Sequence, residues 1–553
     1  MPEETNRPEK LVRHFRQILL WPLQLMPIRQ GAQIQKHWEL LEQQREGNPW
    51  HEVVDEFTGD PTQFKERHYN EFVTFLPHVQ RFLYGEGRRA GHEAEQGASP
   101  MRVFRREDIT VVRLTPQEGD HPVPLSVAHV DLYFFFDIDV VLLAMEVFTD
   151  DLPLSQVQDA LYRFGRAYPA GWDEHGQGLH CMHRVEWLAG DGTVLAASDY
   201  EKRERYLAFV CRHRAPCIAA HWAFLLRPLV LDHADEHGLI RYRQIEYYRM
   251  PVMGYLAMND PRALSRGDFI RLGLVTAAGP DEVLPYSDRH VAGFEDGYCY
   301  DRYWSDQAGG PSTRYLCCGH ALAVVGDANS SLFTHKETGV LSQFRHQYFL
   351  LFLIAHFHKA ALLMLSDRLV DALNRLEVHN ADTVKRFKRE IRQNFEIFLR
   401  FTHRYWFHEL SDQAQAKALF ALCSRHLGTD ALFEEVEAEI QEMNDYLDSD
   451  SLRRQANTVV RLTVVTTFGL IGTVTTGFLG MNLIAAAESS LLDRALLFVL
   501  LFVPTLGLVL YTVVKSKRLS GLLEALSDER MPLRAKMVAL VDVWRTPPRP
   551  NGE

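Results

Sequence analysis

The sequence predicts an α/β N-terminal domain, then a helical region and a long helical stalk, then two C-terminal transmembrane helices. Three observations carry this prediction. Runs rich in β-branched and aromatic residues alternate with loop-like stretches up to about residue 335 and then stop. No proline occurs from Asp430 to Asn482, a stretch whose apolar residues recur at helical spacing. Two windows near the C-terminus, 462–481 (LTVVTTFGLIGTVTTGFLGM) and 495–514 (ALLFVLLFVPTLGLVLYTVV), each run twenty residues without a charged side chain. Each suffices for a helix of ~30 Å, the thickness of a bilayer's hydrocarbon core.

In chain order, the first hundred residues mix short helical and extended signals and end in a loop-like connection at 85–100. Segment 18–28 (ILLWPLQLMPI) is too short, and too broken by Pro22 and Pro27, to span a membrane. Strand signals follow at 101–114 and 129–148, and a helix at 151–168 begins near Leu152 and Pro153. Further strands are expected at 179–189, 249–258 and 314–325, making a largely antiparallel or mixed sheet. Helical periodicity then runs through 337–377, 383–410 and 412–427. His356, His358 and Lys359 make membrane insertion of the apolar segment 348–365 costly, so it reads as a buried helix.

Gly428 reads as a helix stop, and Thr429 or Asp430 as the cap of a new helix with apolar positions Leu432, Val436, Ile440, Met443 and Leu447. That helix, roughly 50 residues and about 75–80 Å long, is expected to run to Asn482. A stalk of this length packs against copies of itself or against neighbouring helices. The expected divisions are therefore 1–335, 336–428, 429–482, a loop at 483–494, the second span at 495–514 and a tail at 515–553 with an amphipathic helix at 532–544.

Composition narrows the function. A mean hydropathy of −0.19 and 24% charged residues confine any membrane portion to those two windows. The net charge of −12 argues against nucleic acid and suits cations as clients. Seven cysteines without a small secreted scaffold read as reduced thiols. No P-loop, GxGxxG, GxSxG or HExxH pattern marks an enzyme. The twelve-residue connector makes the spans an antiparallel hairpin. Arg453, Arg454 and Arg461 before it and Lys515, Lys517 and Arg518 after it place both ends in the cytoplasm, since the connector has Arg494 against Glu488 and Asp493. The N-terminus has no signal-peptide core, in keeping with a domain that is not exported.

On the helix that ends at Asn482, Val459, Leu462, Thr466, Leu470, Thr473 and Gly477 lie on one face, with Asn482 beyond them. Copies arranged around an axis would line a tube with Asn carbonyls at its mouth, hydroxyls in the middle and an apolar constriction below. Neutral oxygens suit Mg²⁺, which gives up its water shell reluctantly. The alternative is that the threonines bond back to their own helix or pack against a neighbour. Farther back, Glu434, Glu435, Glu437, Glu439, Glu442, Asp445, Asp448 and Asp450 stand in a stretch without Lys or Arg. They read as a solvated face, or as regulatory sites where divalent cations relieve repulsion between copies and hold a closed state. Three Cys/His groups, His180/Cys181/His183, Cys211/His213/Cys217/His221 and Cys317/Cys318/His320, fit no standard zinc spacing and read as buried thiols and surface histidines.

Gly480, Met481 and Asn482 at the outer end of the first of two C-terminal spans, with the long stalk, the short loop and KSKR after the second span, resemble the CorA-type metal ion transport family. The resemblance covers residues 429–518. It implies a funnel-shaped homopentamer in a bacterial inner membrane, both termini cytoplasmic, whose first span lines the pore and whose Gly-Met-Asn tripeptide is the selectivity filter. Thr473 matches the family's pore threonine and Gly477 its glycine inside the mouth, while Leu470, Leu462 and Val459 fall at the hydrophobic gate. No prosthetic group is implied, only a transported or regulatory divalent cation, Mg²⁺ first, with Zn²⁺ or Co²⁺ as alternatives. This chain departs from the family in Leu479, where an aromatic residue is common, and in a loop whose ion attraction rests on Glu488 and Asp493. A Zn²⁺ transporter, proton-coupled or not, and a non-conducting anchored sensor or scaffold are the rival readings.

Overall fold

The computed structural model describes residues 10–480, apart from 29–35, 44–46, 54–63, 86–99, 239, 247, 281–282 and 377–380, and beyond them 490–493, 495–496, 498–500, 502–504 and 506–507. It divides into two compact units, 1–440 and 441–553.

The first unit is built on one large mixed sheet. Its strands are β1 (Leu11–Leu25), β2 (Trp50–Glu52), β3 (Met101–Arg106), β4 (Val111–Thr115), β5 (Val123–Phe135), β6 (Ile138–Pro153), β7 (Arg184–Leu188), β8 (Val194–Ala197), β9 (Val230–Leu231), β10 (Arg241–Gln244), β11 (Val252–Met258), β12 (Cys299–Tyr300), β13 (Arg314–Cys317) and β14 (Ala321–Asp327). The main path runs β12-β13-β14-β11-β1-β6-β5-β4-β7-β8, with β3 also on β5 and β10 on β1. Pairing is antiparallel except for β11 with β14 and β9 with β10.

Segment 18–28, read above only as too short to span, belongs to the central strand. From Ile18 to Leu25 every residue of β1 is buried, because β1 is covered on both faces and so lacks the alternation of a half-exposed strand. Pro22 is tolerated by position. On one side β11 pairs as far as Leu19 with Val252, and β10 takes over only at Leu23 with Gln244. Pro22 sits in that gap, where no ladder N–H is required. The run 129–148 is divided by a tight turn at Phe136 and Asp137, where Asp137 adopts φ 69°.

Helices cover both faces of the centre. On one, the helix Leu154–Arg163 packs over β1 and β6, its start fixed by Pro153 as expected. On the other lies the core helix Phe349–Asn374, preceded by a π-helical turn at Phe344–Tyr348. Phe357 of that helix stacks on Phe135 at 3.9 Å. His356 and His358 are fully enclosed and burial pushes both imidazoles down to about 3, so they stay neutral, each bound to a backbone carbonyl. The helices Ala381–Arg404 and Ala414–Leu427 pack against this unit near the expected positions.

Candidate functional site

A single helix, Thr429–Gly480, follows. Its 52 residues span ~78 Å. Gly428 ends the preceding helix in the left-handed conformation, φ 67°. Thr429 is already the first residue of the new helix, and its hydroxyl donates to the Ser424 carbonyl of the earlier one at 3.4 Å. Phe433 stacks on Trp406 at 4.5 Å and Val436 and Ile440 are buried, which seats the first three turns in the α/β unit. Of the acidic residues, Glu434, Glu435, Glu437, Glu442, Asp445 and Asp448 are exposed, Glu439 is half-buried, and Asp450 lies in the same helix. Among the described residues no group of three or more His, Cys, Asp or Glu is disposed to hold a metal ion, so within one chain the acids form a spread face.

Farther along, the six residues of the predicted lining, Val459, Leu462, Thr466, Leu470, Thr473 and Gly477, are all exposed. Leu462 and Leu470 show 66% and 65% of their surface, far more than a helix packed in water leaves uncovered. The threonines do bond back to their own helix. Thr473 donates to Gly469 O at 2.9 Å, Thr466 to Leu462 O, and Thr463 and Thr476 to Val459 and Gly472. A hydroxyl whose proton is committed this way keeps its lone pairs facing outward, so it presents an acceptor only. A methyl placed on Gly469, Gly477 or Gly480 would meet nothing within 4 Å. Among the described residues nothing calls for glycine there, although each costs the helix ~1 kcal/mol against alanine.

The described part of this helix runs to Gly480, and Met481, Asn482, Glu488, Lys515, Lys517, Arg518 and the expected tail helix at 532–544 lie outside the described residues. The second apolar segment is already helical at Leu491, four residues before the expected start of the span. Ser490 and Asp493 explain this: the Ser490 hydroxyl donates to the Asp493 carboxylate at 2.9 Å and accepts from its N–H, closing the first turn. Asp493, expected to draw cations as a loop residue, thus belongs to the helix start. Leu491, Leu492, Leu496, Phe498 and Leu500 are again largely exposed.

The helix Val340–Asn374 is, among the described residues, the one that meets both the length and the apolarity of a membrane span, yet 83% of its most apolar window is buried in the fold. The described residues of the two C-terminal segments are, by contrast, mostly exposed.

The three Cys/His groups do not converge. Cys181 is buried, its thiol pushed up to about 12, while His180 and His183 bond to Tyr248 and Gln177. Cys211 is exposed and Cys217 and His221 are buried. Cys318 contacts His320 at 3.7 Å, whereas Cys317 is buried against Leu322, Leu351 and Cys423. All seven cysteines are free thiols.

One charged arrangement escaped the sequence reading. Arg105 on β3 forks onto Asp131 on β5 with two bonds of 2.8 Å. His129 lies between Asp131 (3.1 Å) and Glu146 on β6 (2.7 Å), and Glu146 also takes Arg16 of β1 and Arg345 of the π-helical turn. Burial pushes His129 down, but its two carboxylates outweigh this and hold it up at about 9. Burial likewise pushes Glu146 up, and His129, Arg345 and Arg16 together hold it well below the usual carboxylate range. The signal was there: a carboxylate inside LLAMEVF and His129 and Asp131 two apart in a strand put charges on a covered face.

No protein-family model matches this chain, and no curated protein matches it.

Proposed function

We propose that this chain is a divalent cation channel or transporter of the CorA type, most simply for Mg²⁺, working as a homopentamer in a bacterial inner membrane with both ends in the cytoplasm. One observation carries the reading: the helix Thr429–Gly480 runs into a segment without ionisable residues from Leu462 on, and Val459, just before it, and Leu462, Thr466, Leu470, Thr473 and Gly477 are all exposed among the described residues. Water does not tolerate that apolar area, so lipid and other copies are its natural cover.

Two further features favour a lining over a plain anchor. Hydroxyls that present only acceptors suit the outward-pointing hydrogens of a hydrated Mg²⁺. Glycines at 469, 477 and 480 leave room beside the helix that no described residue fills. In this reading Asn482 completes the filter with Gly480 and Met481, Lys515, Lys517 and Arg518 form a basic ring at the cytoplasmic surface, and divalent cations between the acidic faces of neighbouring copies hold the closed state. The test is metal flux by the purified oligomer in liposomes, Mg²⁺ against Zn²⁺ and Co²⁺. An intact oligomer that passes none of them at low internal metal would be an anchored sensor or scaffold instead.

A further inference from the structure

Where β13 meets the helix Ala414–Leu427, two thiols share one small cavity. Cys317, the last residue of β13, and Cys423, in the third turn of that helix, both line it. Its volume is about 10 Å³, no more than the room of one water molecule. Two side chains that share so small a space stand close together. Gly319 makes the approach possible: it takes φ 85° just after β13, and a methyl placed on it would lie 3.1 Å from the backbone of His426 in the same helix. The Cys423 thiol donates to the Gly319 carbonyl at 3.7 Å.

The other walls are Leu322, Leu351, Phe352, Leu419 and Phe420, and every lining residue is buried. His356 gives its Nε2 to the same Gly319 carbonyl and does not line the cavity. The thiols set each other's proton affinity: Cys423 holds Cys317 down, and Cys317, with burial, pushes Cys423 up. The first proton lost therefore belongs to Cys317. Arg425 acts on Cys317, and Lys359 on Cys423, as positive charges.

This lining selects among metals. Zn²⁺ takes four ligands and Mg²⁺ or Ca²⁺ six or more oxygens, whereas the lining side chains supply two sulfurs and otherwise carbon. Soft thiolates favour Cu(I), a filled-shell ion that two sulfurs in line can satisfy. We propose that Cys317 and Cys423 bind one Cu(I) ion as a two-coordinate dithiolate. Two S–H bonds give way to two S–Cu bonds, two protons go to solvent, and copper stays Cu(I), so no oxidant or reductant takes part. The bound site carries one negative charge, which Arg425 and Lys359 offset. Cys318 and His320, both half-buried and 3.7 Å apart, offer soft ligands between the surface and Cys317. The metal ties β13 to the helix that leads through Gly428 into the long helix. The site lies within the α/β unit and does not depend on transport.

The test is anaerobic titration of the full chain in detergent with Cu(I) held by the coloured chelator bicinchoninate, in a Cys211→Ser background that removes the exposed thiol. One Cu(I) per chain should be withdrawn from the chelator, and Zn²⁺ offered in its place should not be retained. Cys317→Ser and Cys423→Ser should each weaken retention by about a hundredfold or more, since loss of even an outer partner of a metal ligand costs tenfold to a hundredfold. Cys299→Ser should leave it unchanged. X-ray absorption of the copper should show sulfur neighbours alone, two per ion. If a serine variant fails to fold, that spectrum and alkylation decide: Cu(I) should slow labelling of Cys317 and Cys423 and leave the buried Cys181 and Cys217 unaffected. No Cu(I) withdrawn, retention indifferent to both serine substitutions, Zn²⁺ held as tightly, or nitrogen or oxygen neighbours around the copper would overturn the proposal.

Discussion

Nε of Arg345 lies 2.8 Å from Oε1 of Glu146, tying the π-helical turn to the middle of the central sheet. Glu146 is fully buried and also receives Arg16 and His129, so its charge is balanced only while all of them remain in place. Replacing Glu146 by Ala strands buried positive charge and should cost ~3–5 kcal/mol, read as a lower denaturation midpoint of the α/β unit.

The same network predicts an alkaline loss of stability. His129 is held at about 9 when folded, above its ordinary value of about 6.5. Its contribution is therefore complete below about pH 6.5 and fades as pH rises through 9, by a total on the order of 3 kcal/mol. Urea midpoints followed by tryptophan fluorescence should fall across that window, and the fall should be smaller in His129→Gln. A fall of the same size in the variant would assign it to another group.

Phe357 tests the placement of the apolar segment 348–365. Its ring stacks on Phe135 and packs against Phe82 and Tyr405 within the α/β unit. Phe357→Ala should cost ~3–5 kcal/mol in the unfolding of that unit. A lipid-facing residue would leave the midpoint unchanged.

How much of this was legible in the sequence depends on the distance over which each cause acts. The long helix was readable because proline absence, Gly428 and the spacing of Val436, Ile440 and Leu447 are local signals, and among the described residues it runs unbroken from Thr429 to Gly480. Strands β3, β7, β11 and β13 fall inside their expected stretches for the same reason, and β4 and β14 overrun theirs by one and two residues. β1 was not recognised, because burial on both faces erases alternation and Pro22 is acceptable only where β11 hands over to β10, a fact of topology. The pair Cys317 and Cys423 and the network at Glu146 join residues up to about two hundred positions apart, such as Glu146 and Arg345, which one-dimensional spacing does not relate.

The acidic face predicts the control of transport. With Glu434, Glu435, Glu437, Glu442, Asp445 and Asp448 changed to their amides, flux should no longer be suppressed by internal Mg²⁺, because the sites bridging neighbouring copies are gone. Inhibition that survives in the amide variant, measured in liposomes preloaded with Mg²⁺, would reduce these acids to a solvated surface.

Leu470 tests the constriction. An apolar ring holds a narrow passage closed by excluding water, so Leu470→Ser should raise basal flux by about tenfold or more at internal Mg²⁺ that closes the parent protein. If Leu470 faces lipid instead, the substitution leaves basal flux unchanged and only weakens insertion.

The most direct measurement is Mg²⁺ uptake into liposomes carrying the purified oligomer, with Asn482→Ala beside it. Uptake by the parent protein at low internal metal, lost or no longer selective over Zn²⁺ in the variant, is the predicted result. No uptake of either ion by an intact oligomer, or uptake indifferent to Asn482, would contradict a pore lined by the long helix.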